Sequence, residues 1–350
     1  MSAPEILAVG IATPVGLDAA GAAAAIRADV CRFAAGKFRN RSGKPQVISR
    51  LDDKLLPPLH PDLALGARGL PVRARLLRLA THALQEAAAG LDQPVPLLLA
   101  APEARAGVPD PVGSDLMAPL ATQAGVALDL RSSRLYRQGG AAGLLALRDA
   151  VALLASGRAT RVLVGGVDSL TDPGLLRALD AEKRLTGASP DGFIPGEGAA
   201  FLLLGPAGAA RRDKVPPLAA VLGVAAGVEK GHRYSEEPYL GEGLAGVFQL
   251  LFAAQPAEPR VGCVYAGLNG ESLGAKEWGV ALLRSADRFA DDFAVEHPAD
   301  RLGDAGAALG PIMLALAALG IQAGQHPPRC LVWSTSDREP RAAALLGAVA

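Results

Sequence analysis

The sequence predicts a layered α/β protein made of two successive halves, and three observations carry that reading. First, residues 138–168 (QGGAAGLLALRDAVALLASGRATRVLVGGVD) hold a helix over 141–155 that is apolar nearly all round, broken only by Gly143, Arg148 and Asp149. A helix apolar on every side belongs inside a large protein. Ser156-Gly157 stops it, glycine being usual just past a helix C-terminus. Residues 161–164 then read as a short buried strand running into Gly165-Gly166-Val167-Asp168. Second, short apolar strands alternate with Ala- and Leu-rich helices on both sides of a polar linker at 208–217, the element order of an α/β fold. Third, half of the 350 residues are hydrophobic but only 4% are aromatic, with 41 glycines. The core must therefore be packed closely from Ala, Leu and Val. The halves divide as 1–212 and 213–350 and form one compact unit.

In chain order, residues 5–12 (EILAVGIA) form a first buried strand, closed by Thr13-Pro14 because proline cannot continue a central strand. Asp18 is the N-cap of an Ala-rich helix over 19–29. Residues 36–70, rich in Pro, Gly and basic side chains, read as a surface excursion. Leu76, Leu77, Leu79, Ala80, Ala83, Leu84 and Ala87 recur at helical spacing and predict an amphipathic helix over 73–90. A buried strand follows at 96–100, a short helix at 115–125, and an extended segment at 133–137. After Asp168 a polar stretch runs to Asp191, and then Gly192-Phe193-Ile194-Pro195-Gly196-Glu197-Gly198 leads into a strand at 199–204. The second half has a strand at 218–228, a helix at 242–254, and a strand at 261–266 ending in Gly267-Leu268-Asn269-Gly270. Helices at 275–286 and 304–319 and a last strand at 330–333 complete it.

Lys plus Arg equals Asp plus Glu at 35 each, so net charge points to neither nucleic acid nor an anionic membrane. No apolar run reaches the roughly 18–20 residues of a membrane span. The first residues, MSAPEILAVG, lack the basic start and apolar core of a signal peptide. Cys31, Cys263 and Cys330 form no CxxC pair and read as small buried hydrophobes. The expectation is a cytoplasmic protein of a reducing compartment, with no metal and no cofactor.

Several segments resemble the β-ketoacyl synthases: VGIATPVG at 9–16, Ser156-Gly157 followed by VLVGGVD at 162–168, DGFIPGEGAA at 191–200, Gly267-Leu268-Asn269-Gly270, and GDAGAALG at 303–310. The likeness runs through the whole chain. It implies the thiolase fold, five layers αβαβα built from two similar halves, and a homodimer. It also implies a cysteine at the N-terminus of the central helix, its thiolate favoured by the helix dipole. Two histidines of the second half would assist it. Counted from Ser156-Gly157, the cysteine position falls on Gly140; Asn269 and Asp304 stand at the histidine positions, and Ala299 replaces a lysine. A slip of two residues would instead place Gln138 at the cysteine position. The glycine-rich loop near the chain end is replaced by Trp333-Ser334-Thr335-Ser336-Asp337.

Glycine carries no nucleophile and Asn accepts no proton at neutral pH, and such residues act as a unit. The resemblance therefore implies a degenerate member without condensing chemistry. It would be a binding or assembly partner of an acyl-chain synthase system or of a bacterial secretion-effector system, with an acyl carrier protein, a synthase subunit or a secretion effector as the protein bound. The alternative is an acyltransferase or thioesterase-type enzyme working on acyl thioesters through Asn269, Asp304 or His297, and a third reading is an acyl-chain binder.

Pocket candidates are Gln138, Gly139, Phe193, Leu268, Glu271 and His297. Gly165, Gly166, Gly196 and Gly198 read as structural, as does Glu197, a buried carboxylate paired with a base. Asn269, Asp304 and Glu271 either form a polar site or hydrogen-bond loop backbone. Arg134, Tyr136 and Arg137 lie on the strand that in this family meets its copy across the dimer axis; otherwise they are a solvated surface strand. Lys37, Arg39, Arg41 and Lys44 form a basic cluster, either facing an acidic carrier protein or simply solvated. His82 reads as a boundary residue, His60 and His326 as loop residues beside prolines, and His232 as exposed. No triad is built from them.

Overall fold

The computed structural model describes residues 3–66, 68–113, 115–187 and 189–349. The first half runs β1 (Glu5–Ala12), α1 (Ala19–Arg27), β2 (Phe33–Arg39), β3 (Pro45–Ser49), α2 (Pro71–Ala87), β4 (Leu97–Ala100), α3 (Met117–Ala124) and β5 (Arg134–Tyr136). It continues with α4 (Ala142–Ala155), β6 (Val162–Ser169), α5 (Pro173–Ala181), β7 (Glu197–Gly205) and α6 (Ala209–Asp213). The second half runs β8 (Ala219–Val228), α7 (Glu242–Ala253), β9 (Val261–Ala266), α8 (Ser272–Arg284) and β10 (Phe289–Glu296). It ends with α9 (Ala299–Leu302), α10 (Leu309–Gln322), β11 (Arg329–Thr335) and β12 (Pro340–Gly347).

Ten strands form one sheet in the order β10-β9-β11-β12-β8-β1-β7-β6-β4-β5. Outward from its middle, one arm reads β1-β7-β6-β4-β5 and the other β8-β12-β11-β9-β10. On both arms the successive pairings are antiparallel, antiparallel, parallel and parallel. Identical order and direction make the halves topological duplicates. They meet edge to edge through Glu5 opposite Ala220 and Ile6 opposite Ala219.

Strand residues alternate between faces, and the alternation sorts the core into layers. Ile6, Leu98, Val164 and Leu202 of one arm, and Val332 and Ala344 of the other, join α4 and α10 in a central cluster. Leu7, Leu99, Leu163 and Phe201 face α2 and α3. Leu331, Trp333 and Leu345 face α7 and α8. The arms thus enclose two central helices and each carries an outer helical layer, giving five layers. Gly143 lets the central helices touch: a Cβ there would lie 2.3 Å from Pro311 Cδ.

Several elements depart from the sequence expectation. The excursion at 36–70 begins as the β2–β3 hairpin. The stretch after Asp168 contains α5, started by Pro173 and by the Asp172 side chain accepting from Gly174 and Leu175 N–H. The strand begun at Val162 continues through both glycines to Ser169. The last central helix starts at Leu309, after a single tight turn at Gly306–Ala308. β10 and β12 were not anticipated. Residues 341–347 (RAAALLG) have helix-favouring composition, but pairing with β8 on one side and β11 on the other makes them a central strand. Cys31 is exposed, because it follows α1 at the surface; Cys263 and Cys330 are buried.

Candidate functional site

The strand ends of both arms and the N-termini of α4 and α10 converge on a cavity of about 140 Å³. Gly139 and Gly140 line it from the turn before α4, Asp168 from the end of β6, and Asn269 and Glu271 from the loop after β9. Asp304 lines it from the turn before α10, and Ser334 to Asp337 from the end of β11.

Gly140 faces a wall. A Cβ on it would lie 2.5 Å from the Thr335 carbonyl oxygen and 3.1 Å from Ser334 Oγ. Beside it, the Ser336 hydroxyl donates to the Gln138 carbonyl and accepts the Ala141 N–H at 3.1 Å. The amide that opens α4 is therefore already capped by a neutral hydroxyl. In the turn before α10 the Ala307 N–H goes to Asp168 Oδ2 at 2.9 Å, while Asp168 Oδ1 accepts the Ser169 N–H at 2.7 Å. Burial pushes the Asp168 carboxyl up to about 7 against these two N–H donors.

Asn269 and Asp304 do both things that their residue types allow. Asn269 Nδ2 donates to Asp304 Oδ2 at 2.8 Å and to Glu271 Oε2 at 3.2 Å. Each also serves its own loop: Asn269 Oδ1 accepts the Glu271 N–H and Asp304 Oδ1 the Gly306 N–H. Burial raises the Asp304 pKa, opposed by Asn269 and the Gly306 N–H. The centre of the polar group is a residue outside the sequence candidates, Arg184. It forks onto Glu271 at 2.9 and 2.7 Å and onto Asp337 at 2.7 and 2.9 Å, with its guanidinium over the Phe193 ring. Arg233 adds a contact to Glu271 at 2.8 Å and Arg105 one to Asp337 at 2.9 Å. Burial works against the Asp337 carboxylate, but Arg184, Arg105 and Arg233 outweigh it and hold the carboxyl well below the usual range. Bidentate, charge-assisted bonds of this kind fix geometry, and these tie the 184–193 loop of the first half to the second.

Of the pocket candidates, Gly139, Phe193 and Glu271 line the cavity. Gln138 is exposed, and its carbonyl is what reaches Ser336. Leu268 packs into the outer layer of the second half instead. His297 precedes α9, with Nδ1 3.8 Å from Asp300, and does not border the cavity. Glu197 is wholly buried, accepting from Arg75 Nε at 2.8 Å, Ser169 Oγ at 2.7 Å and the Leu51 N–H at 2.7 Å. Neighbouring atoms crowd the glycines around it: a Cβ would meet the Phe201 ring at Gly165, the Ala307 carbonyl at Gly166, the Leu302 carbonyl at Gly196 and the Ile312 side chain at Gly198.

Strand β5 lies at one edge of the sheet, paired only with β4. The Tyr136 side chain, expected at a subunit contact, is turned inward, where its hydroxyl donates to Asp149 Oδ2 at 2.7 Å. Arg137 is forked onto Asp110, and Arg134 projects outward. In the basic hairpin, Arg39 bonds the Gly43 carbonyl and Arg41 reaches the Ala181 carbonyl. Lys37 and Lys44 occupy the same hairpin, Lys37 in β2 and Lys44 just before β3. His82 is half-buried on α2, and His60 Nδ1 accepts the Asp62 N–H. His232 is largely covered and 3.3 Å from Glu339, against the exposed position expected. Among the described residues no group of His, Cys, Asp and Glu is arranged to hold a metal ion, and no helix is long and apolar enough to cross a membrane.

Residues 99–210 match the family model for the β-ketoacyl synthase N-terminal domain. No protein of curated function matches the sequence. Among solved structures, the fold is similar to the ketosynthase from module 6 of the bacillaene synthase of Bacillus subtilis 168, with TM-score 0.80 and 15% identity over 99% of this chain and 72% of that one. It is similar to a chain of the complex of a type II PKS acyl-carrier protein with its ketosynthase bound to the hexaketide, with TM-score 0.78 and 17% identity over 99% of this chain and 100% of that one. The ishigamide ketosynthase/chain length factor follows at TM-score 0.72 and 21% identity over 99% and 100%. Residues 99–210 thus carry the match to the β-ketoacyl synthase N-terminal domain, and the fold throughout is similar to the thiolase-like fold of ketosynthases.

Proposed function

We propose that this protein has no condensing activity and serves as a binding or assembly partner in an acyl-chain synthase system. The observation that carries this is Gly140: the position matched to the family's nucleophile has no side chain, and a Cβ there would press against the Thr335 carbonyl at 2.5 Å. The neutral Ser336 cap on α4 and the Arg184 network across the mouth support the same reading. One structural neighbour is a ketosynthase with its acyl-carrier protein, which makes a carrier protein or a synthase subunit the first partner to test, ahead of a secretion effector. The exposed edge at β5 offers backbone for pairing with a second copy, with Arg134 and the backbone of Tyr136 at the contact, and a cytoplasmic setting suits these partners.

The test is intact-mass spectrometry after incubation with acyl-CoA and acyl-carrier thioesters, with released thiol followed in parallel. An unmodified protein that co-elutes with carrier protein or synthase is the expected result. A covalent acyl adduct or steady thiol release overturns it. One observation favours a second reading, an acyl thioester hydrolase: Asp168, at about 7, holds a proton poised for transfer near neutral pH. Thiol release abolished by Asp168→Asn would select that reading.

A further inference from the structure

Two of the three cysteines that the sequence scatters stand side by side. Cys263 of β9 and Cys330 of β11 are register partners in a parallel ladder, both buried and both in the central cluster. Neighbouring strands run roughly 4.8 Å apart, inside the roughly 4.4–6.8 Å of Cα separation that a disulfide bridges. The Cys330 thiol reaches the Pro327 carbonyl at 4.0 Å, and its register places it on the same face as Cys263. Tyr265, two positions along β9 and so on the same face, bonds His326 Nε2 at 2.8 Å and meets the imidazole edge-on at 5.6 Å. Through Tyr265 the imidazole is held on the face of β9 that carries Cys263. It occupies space that only glycine leaves free, since a Cβ on Gly320 would lie 2.0 Å from His326 Cδ2. Cys330, then His326, hold the Cys263 thiol below its usual range, against burial and the charge of Glu296 on β10; Arg27 of α1 is the other charged group beside Tyr265. His326 itself is half-buried in the loop before β11, so it lies between this buried group and solvent.

We propose that Cys263 and Cys330 form a reversible disulfide, with a hydroperoxide as oxidant and His326 as proton carrier. The Cys263 thiolate attacks one peroxide oxygen; the O–O bond breaks, and the other oxygen leaves as hydroxide and becomes water with the His326 proton. The Cys330 thiol passes its proton to the imidazole and attacks the sulfenic sulfur, forming the S–S bond and expelling hydroxide, which that proton converts to a second water. Two thiols and one hydrogen peroxide thus give one disulfide and two waters, and an exogenous dithiol reverses the change.

The test uses the full chain with Cys31→Ser, which removes the exposed thiol. Graded hydrogen peroxide on the native protein should lower the intact mass by about 2 Da, reversibly with dithiothreitol, and peptide mapping should join Cys263 to Cys330. Adding Cys330→Ser should arrest oxidation at a dimedone-trapped sulfenic acid on Cys263, and adding Cys263→Ser should abolish it. His326→Gln should slow disulfide formation about tenfold at an unchanged urea midpoint. Both thiols staying reduced until the protein is unfolded would overturn the proposal, and an unchanged rate in His326→Gln would overturn the role of the imidazole.

Discussion

The two halves share strand order and pairing, yet the chemistry at their strand ends runs in opposite senses. In the first half the strand carries the acid: Glu197 opens β7 and takes Arg75 from the outer helix α2 at 2.8 Å. In the second half the strand carries the base: Arg341 of β12, the topological counterpart, takes Glu277 from α8 at 2.7 Å. Both pairs are almost dry. The helix caps cross over in the same way, with the Ser336 hydroxyl of the second half on α4 and the Asp168 carboxylate of the first on α10. Backbone topology has stayed duplicated while side-chain chemistry diverged around it. The consequence falls at the centre. Helix α4, where a nucleophile is expected, meets a neutral cap and a carbonyl wall, whereas α10 keeps an ionisable partner.

The largest effects should come from breaking the two ion pairs. Glu277→Ala leaves buried Arg341 without a carboxylate, and Glu197→Ala leaves buried Arg75 only the exposed Asp53, each at a cost of about 3–5 kcal/mol in urea unfolding. Glu277 should cost more, because Arg341 has no second carboxylate and the Tyr239 hydroxyl loses an acceptor as well. Next comes pH. Folded Asp168, at about 7, keeps a proton that the unfolded chain loses near the ordinary carboxylate value, so its contribution falls as pH rises between the two. Asp337 has the opposite sign: held low by Arg184, it stabilises above the ordinary value and is lost on acidification. Between about pH 5 and about pH 8 the Asp168 contribution should decline on the order of 2–3 kcal/mol, a slope that Asp168→Asn removes in urea unfolding at the two pH values.

Smaller effects sharpen the comparison of the central helices. Gly140→Cys must move the Thr335 carbonyl, costing about 1–3 kcal/mol, and mass spectrometry with acyl-CoA should show no thioester at the introduced thiol. Ser336→Ala removes the α4 cap at about 1 kcal/mol, read as a shift in urea midpoint. A Ser336 effect as large as that of Glu197 would mean that the crossed caps, not the ion pairs, hold the halves in register.

Local pattern made much of this molecule legible. Asp18 accepts the Gly21 N–H as the N-cap that its position suggested, and the run ending in Gly-Gly-Val-Asp is a buried strand behind a buried helix. Periodicity failed where neighbours overrule composition, as in β12, and where an edge strand is interrupted by polar residues, as with Asp291 and Asp292 in β10. Arg184 escaped notice because a lone arginine in a polar stretch carries no period. Its four partner oxygens belong to residues 87 and 153 positions away.

The sequence alone therefore determined the layered α/β plan, the two halves, and the absence of cysteine and histidine where the resemblance requires them, because each is written in nearest-neighbour pattern or residue identity. Only the tertiary structure decided that the Gly140 site is walled off, that Ser336 and Asp168 cap each other's helices, and that Cys263 and Cys330 are neighbours. Those facts depend on strand pairing between distant segments, and the close packing of the central layer fixes that pairing where no local signal does.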